Sequence, residues 1–132
     1  MSQENVEVIN EGWRATNRGD VDGLLAVMAD DVDFRPPSHR LDGTVFRGHA
    51  GVRAWMERIK ETWSELESSP HAVASVGEQV VVVVETRAIG QDSHVPINQR
   101  EFVVYSIRNG KIAALIAYGS KAEALKAVVL TE

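Results

Sequence analysis

The spacing of apolar residues changes from a helical to a strand-like period about halfway along the chain, and this change restricts the fold most. Before it, apolar residues recur at intervals of three and four and predict an amphipathic helix: Val52, Trp55, Met56, Ile59 and Trp63. After it, segments rich in β-branched residues predict four strands, at 72–76, 79–88, 97–107 and 112–118. Helices first and an antiparallel meander second indicate an α+β fold, with the helices packed on one sheet.

Two more helices are predicted ahead of this one. Val6, Ile9 and Trp13 lie on one helical stripe, and Gly19 can end that helix in the left-handed conformation. Asp20 is a favourable N-cap for a second, short helix that follows at once. The sequence therefore predicts three N-terminal helices.

Shorter signals account for the rest of the chain. Val32 and Phe34 alternate with charged residues and predict a short strand, which the following Pro-Pro pair ends because proline gives no N–H to a ladder. Residues 36–48 are predicted to form a loop, and residues 121–128 a last short helix.

The dipeptide Asn109-Gly110 predicts a tight hairpin between the last two strands, since both residues tolerate the positive φ of a type I′ turn. A turn centred there gives the expected cross-strand pairs: Ile107 with Ile112, Tyr105 with Ala114, Val103 with Ile116 and Glu101 with Tyr118. The side chains between these pairs share the other face of the hairpin.

Five consecutive valines at 80–84 give one strand apolar side chains on both faces. In an antiparallel sheet that helices cover on one side, apolar and polar side chains alternate more regularly along each strand. The second face therefore needs a cover, and no unassigned helix remains to supply it. We expect a homodimer through an apolar strip on that face; a half-exposed sheet protected by its edge charges is the alternative.

The composition limits the partners and the location. A chain of 132 residues suits a single domain, 1–132, and the lack of cysteine excludes disulfides, thiolate nucleophiles and cysteine-bound metals. A net charge of −5 disfavours nucleic acid as a partner. No apolar run approaches the roughly 20 residues that span a bilayer, so no membrane partner is expected. The first residues lack the basic start and apolar core of a signal peptide, and we expect a cytoplasmic location.

Several short motifs occur in an order and spacing that resemble a known superfamily. They are Asn17–Leu25, Ala29–Val32, Leu41–Gly48, Arg108–Ile112 and Lys121–Leu125. Together they resemble the NTF2-like superfamily, and most closely its SnoaL-like, polyketide cyclase-like branch. The resemblance implies a cone of three helices over a curled antiparallel sheet, a deep pocket between them, and frequent dimers.

The catalytic positions of the superfamily's ketosteroid isomerases are not kept in this chain. Counted from the Asn-x-Gly-Asp region, their helix-one Tyr corresponds to Gly12, their general-base Asp to Pro36 and their sheet Asp to about Phe102. Their two supporting tyrosines correspond to Met28 and Met56. The resemblance therefore does not imply enolisation chemistry.

Two other chemistries of the superfamily also lack their carboxylates here. SnoaL-type cyclases carry an acidic residue near the end of the last strand, whereas residues 116–120 contain none. Enzymes that resemble limonene epoxide hydrolase need an Asp-Arg-Asp cluster in the pocket, and the expected pocket positions are uncharged. The residues predicted to line the pocket are Trp13, Met28, Phe34, Trp55, Met56, Ile59, Val82, Val84, Thr86, Phe102, Val104, Ser106, Leu115 and Ala117.

A few polar residues are candidates for catalysis. His39 and Arg35 flank the Pro-Pro pair near the expected mouth, where a histidine base could act while the arginine orients an anionic substrate; a solvated loop is the alternative. Tyr118 is a third candidate. The four histidines approach no metal-binding spacing, so we expect neither a metal nor a cofactor.

Three functions follow from these patterns. The first is a dimeric domain that binds a small, largely apolar molecule, with no specified chemistry. The second is an isomerase, cyclase or hydrolase that acts on such a molecule through His39 and Arg35, or through Tyr118. The third is a protein-interaction module that uses the sheet face. If the predicted faces are inverted, a polar cluster enters the pocket and becomes the best catalytic candidate: Glu85, Arg87, Glu101 and Tyr105.

Overall fold

The computed structural model describes the backbone of residues 3–131 and the side chains of residues 3–128. The helices of this part are α1 (Gln3–Arg18), α2 (Val21–Ala26), α3 (His39–Asp42), α4 (Gly48–Thr62) and α5 (Lys121–Thr131). The strands are β1 (Met28–Arg35), β2 (Phe46–Arg47), β3 (Trp63–Val76), β4 (Gln79–Gly90), β5 (Pro96–Arg108) and β6 (Lys111–Tyr118). The α+β class predicted from the sequence is confirmed.

All six strands of the described residues belong to one curled, unclosed sheet in the order β2-β1-β6-β5-β4-β3. The meander from β3 to β6 is antiparallel, as predicted, whereas β1 joins it parallel to β6. Helices α1, α2 and α4 pack on one face, here called the concave face, to which Val80, Val82 and Val84 point. The opposite, convex face carries Val81 and Val104.

The break between the first two helices follows the prediction. Gly19 adopts a φ of 70°, a left-handed conformation that ends α1. The Asp20 carboxylate accepts a hydrogen bond from the Gly23 N–H at 2.9 Å and caps α2. Both features depend on adjacent residues alone, which is why the sequence shows them.

The segment predicted as a loop at 36–48 contains the one-turn helix α3 and the short strand β2. Four helices therefore precede the meander, which corrects the predicted three. Gly43, with a φ of 75°, ends α3, and the Asp42 carboxylate accepts a hydrogen bond from the Thr44 N–H at 2.9 Å. The hydrogen bonds from Thr44 lower the pKa of Asp42, with a smaller contribution from the charge of Arg58.

Strand β3 begins at Trp63, nine residues before the predicted start, and Trp63 was predicted as the last apolar position of the preceding helix. The strand lies at one edge of the sheet. Most of its residues between 64 and 71 are polar or exposed, so they lack the apolar alternation by which a strand is recognised.

The last hairpin contains a β-bulge that the sequence pattern does not reveal. Ile107 pairs with Ile112 as predicted, but the next pair is Ser106 with Ala114, so Ala113 is the additional residue. Beyond the bulge, Tyr105 pairs with Leu115 rather than with Ala114. The other pairs predicted beyond Ile107 are likewise shifted by one residue.

This shift corrects the predicted face of β5. The odd-numbered side chains of β5, including Glu101, Val103 and Tyr105, share the concave face with even-numbered residues of β4. On β6 the concave residues are Leu115 and Ala117, as predicted. Three residues that were predicted to face the pocket instead belong to the convex side: Phe102, Val104 and Ser106.

Helix α5 covers part of the convex face. Ala124 and Val128 are buried against Val81 and Val104. The helix predicted at 121–128 thus supplies part of the cover for which no helix was expected. No helix in the described part of the chain is both long and apolar enough to cross a membrane.

Candidate functional site

A cavity of about 480 Å³ lies between the helices and the concave face, beside the ends of β3, β4 and β5. Its volume falls within the range of about 300–1,000 Å³ that is usual for small-molecule sites. Exposed residues such as Leu41, Gln99 and Arg58 form its mouth, so the cavity is accessible from solvent.

The space between the helices and the sheet behind this cavity is packed. The next void inward measures about 10 Å³ and is bounded by Tyr105, Trp55 and Phe34 among others. This void is too small for more than one water molecule. Several residues predicted to line a deep pocket are therefore buried in the core: Met28, Phe34, Met56, Val82, Val84, Leu115 and Ala117. The structure places four other predicted pocket residues on the cavity wall: Trp13, Trp55, Ile59 and Thr86.

All three tryptophans of the chain line the cavity: Trp13 from α1, Trp55 from α4 and Trp63 from β3. The Trp13 Nε1–H donates a hydrogen bond to the Tyr105 hydroxyl oxygen at 2.7 Å. The Phe34 ring packs against Trp55 with 4.7 Å between the ring centroids. These contacts fix two of the indoles, so the apolar wall is formed before any ligand arrives.

Tyr105 supports this wall from inside the core. Its side chain is almost fully buried, and this burial raises the pKa of its phenol well above the ordinary value. The hydroxyl is therefore neutral at physiological pH and acts as the acceptor for Trp13.

A row of polar side chains crosses the sheet at the cavity. Ser68, Thr86 and Gln99 occupy paired positions on three neighbouring strands. The hydroxyls of Ser68 and Thr86 lie 2.8 Å apart, and the Asn17 side chain bonds both the N–H and the carbonyl oxygen of Ser68 at 2.9 Å. Two hydroxyls that share one hydrogen bond leave a second O–H free to donate.

Glu101 is the one acidic residue on the described cavity wall, and its side chain is only 12% exposed. Its carboxylate accepts hydrogen bonds from the Gln99 Nε2–H at 2.9 Å and from the Arg40 Nη1–H at 3.0 Å. A side chain at Gly119 would overlap the Arg40 guanidinium. Gly119 and Glu101 thus hold Arg40 between them at the mouth.

Arg58, on α4, is the second cation of the cavity wall. Its guanidinium carbon lies 5.4 Å from the centroid of the Phe46 ring, a cation–π contact. Within the described part of the chain, Arg58 makes no ion pair with a carboxylate within 4.0 Å.

None of the three predicted catalytic residues lines the cavity, although Arg35 and Tyr118 lie close enough to each other to interact electrostatically. The Arg35 guanidinium bonds the Asp33 carboxylate at 3.0 and 3.1 Å, which raises the pKa of Arg35. The His39 Nδ1 lies 3.0 Å from the Thr44 carbonyl oxygen, within the loop that follows α3. Tyr118 pairs with Phe102 and belongs to the convex side.

The four polar residues that were expected to enter the pocket if the predicted faces were inverted do not lie together in the structure. Glu101 and Tyr105 lie on the concave face, whereas Arg87 is exposed and Glu85 lies 3.5 Å from Arg100 on the surface. The predicted faces put Glu101 on the side away from the pocket, and it lies on the cavity wall because of the bulge in the last hairpin. Among the side chains of residues 3–128, no group of three or more His, Asp or Glu is arranged to hold a metal ion.

Helices packed on a curled, unclosed sheet form the fold of this chain, and solved structures named NTF2-like share that fold. An NTF2-like protein of unknown function from Burkholderia pseudomallei is 24% identical over 97% of this chain and 98% of its own, with a TM-score of 0.77. TerC, co-crystallised with polyporic acid, is 18% identical over 97% and 99%, also with a TM-score of 0.77. Rv0760c from Mycobacterium tuberculosis, in complex with estradiol-17beta-hemisuccinate, is 19% identical over 92% and 97%, with a TM-score of 0.73.

The sequence assigns the family within this fold. The SnoaL-like domain family matches residues 9–115. The chain therefore belongs to the SnoaL-like family, as the resemblance implied. No curated protein sequence matches the chain.

Proposed function

We propose that this protein binds a small, flat, largely apolar molecule in the cavity between the helices and the concave face. The observation that carries the proposal is the wall formed by Trp13, Trp55 and Trp63 around about 480 Å³ of space. The row of hydroxyls and the amide of Gln99 offer hydrogen bonds to one polar group of such a ligand. The ring compounds named for two structural neighbours support the choice of ligand class.

The tryptophans make this proposal directly testable. N-phenyl-1-naphthylamine is an uncharged ring compound that accepts excitation energy from tryptophan and fluoresces in apolar surroundings. We expect saturable energy transfer at one probe per chain. An absence of saturable binding would contradict the proposal.

A matched pair of variants locates the probe. Ala88 is buried on the cavity wall, so Ala88→Phe fills part of the space and is expected to weaken probe binding at least tenfold. Ala54 is exposed on α4 and does not line the cavity, so Ala54→Phe should leave binding unchanged. Equal binding by both variants would place the probe elsewhere.

We further propose that two copies of the chain associate through the part of the convex face that α5 leaves open. Phe102 and Tyr118 are only partly buried there, and Val73 is 38% exposed at a bulge of β3. Sedimentation at micromolar concentration is expected to show a dimer. A monomer would contradict this proposal and favour the use of the face by a different protein.

The cytoplasmic location stays a prediction from the sequence.

A second candidate function is catalysis on the bound molecule with Glu101 as the proton acceptor. The observation that favours it is a carboxylate that Gln99 and Arg40 orient on an apolar cavity wall. Esters, epoxides and polyketide-like ketones are the substrates to screen. Glu101→Gln is expected to abolish any turnover found while keeping probe binding, whereas unchanged turnover would exclude the role.

A further inference from the structure

The charge of the cavity mouth differs in sign from that of the whole chain. The chain carries a net charge of −5. On the described cavity wall the ionisable groups are Arg40, Arg58 and Glu101, which together carry +1. The wall itself therefore carries one net positive charge, and the Asp42 carboxylate, which interacts with Arg58, lies outside the wall residues.

The two arginines reach the mouth from different elements. Arg40 comes from α3. Its guanidinium pairs with the Glu101 carboxylate and occupies space that a side chain at Gly119 would fill. Only one of its five N–H groups is bonded within the described residues, so the remaining donors are available. Arg58 comes from α4, where the Phe46 ring supports its guanidinium without neutralising it.

We propose that this mouth binds the anionic group of the ligand, a carboxylate or a sulfonate, while the ligand's rings lie against the tryptophans. The inference rests on the proposed function and names its ligand class as flat ring compounds with one acidic substituent. Guanidinium groups suit such anions because their planar donors match two oxygens at once. Glu101 acts as a positioning residue that keeps Arg40 at the mouth.

Two probes with the same rings separate the anion from the apolar contact. 1-Anilinonaphthalene-8-sulfonate carries the ring system of N-phenyl-1-naphthylamine and adds one sulfonate. Salt screens exposed charges, with a Debye length of about 10 Å at 0.1 M. Raising sodium chloride is therefore expected to weaken binding of the sulfonate and to leave binding of the neutral probe unchanged.

Substitutions on α4 provide the matched comparison. Arg58→Gln is expected to weaken binding of the sulfonate about fivefold, on the order of 1 kcal/mol, and binding of the neutral probe less than twofold. Arg53 is also exposed on α4 but does not line the cavity, and its contact with Asp22 is 3.8 Å. Arg53→Gln should leave both affinities unchanged.

Gly119→Ala tests the positioning of Arg40 without altering any residue of the wall. It is expected to weaken sulfonate binding selectively, since the added methyl group displaces the guanidinium. Parallel losses for both probes in Arg58→Gln, or a sulfonate affinity that does not respond to salt, would overturn the inference while leaving the proposed function intact. Failure of the neutral probe to bind would instead overturn the proposed function.

Discussion

The hydrogen bond between Trp13 and Tyr105 joins the core to the cavity wall, and Tyr105→Phe removes it. The substitution deletes a buried acceptor and leaves the Trp13 N–H without its partner. Losing such a bond costs about 1–2 kcal/mol. For 132 residues this corresponds to a fall in Tm of roughly 4–7 °C.

The same phenol gives stability a pH dependence whose sign follows from its burial. The pKa of Tyr105 is raised above its ordinary value of 10.0, so its contribution is complete below pH 10. Above pH 10 the unfolded chain ionises first, and the contribution is lost at up to about 1.4 kcal/mol per pH unit. Tyr105→Phe is expected to lose stability less steeply than the natural chain above pH 10.

Urea unfolding from pH 7 to pH 11, followed by circular dichroism, measures both effects. Tyr118→Phe changes the other tyrosine of the chain, which lies on the convex side, and serves as the control. A Tyr105→Phe protein with the stability and the pH profile of the natural chain would refute the reasoning.

Two further predictions concern other parts of the fold. Asp20→Ala removes the cap of α2 and is expected to lower the Tm at pH 7. The pKa of Asp20 is lowered, chiefly by the hydrogen bond from Gly23. The difference in Tm between the variant and the natural chain should therefore vanish as acid protonates the carboxyl. An equal Tm at pH 7 would show that the cap does not matter. Val128→Ala opens a gap beneath α5 and is expected to destabilise the protein by about 1–3 kcal/mol in urea unfolding, whereas no change would mean that α5 does not cover the sheet.

Local features of the fold could be predicted from the sequence. The end of α1 at Gly19 and the pairing of Ile107 with Ile112 both depend on a few neighbouring residues. The bulge at Ala113 could not be predicted, because an alanine inside a strand gives no signal of a missing partner. The length of strand β3 was underestimated, because an edge strand needs little alternation of apolar and polar residues.

The candidate site was predicted only in part, because several of its residues depend on the β-bulge or on tertiary packing. Trp13 and Trp55 follow from helical spacing, which needs no knowledge of the sheet. Glu101 was assigned to the wrong face because a shift of one residue reverses every side chain beyond the bulge. Arg40 and Arg58 reach the mouth through tertiary packing, which spacing along the chain does not show.

A crystal structure of the protein with 1-anilinonaphthalene-8-sulfonate tests the binding site most directly. The rings are expected between Trp13 and Trp55, with the sulfonate oxygens at hydrogen-bond distance from Arg40 or Arg58. Rings seated on the convex face beside Phe102, with the cavity containing only solvent, would contradict the account.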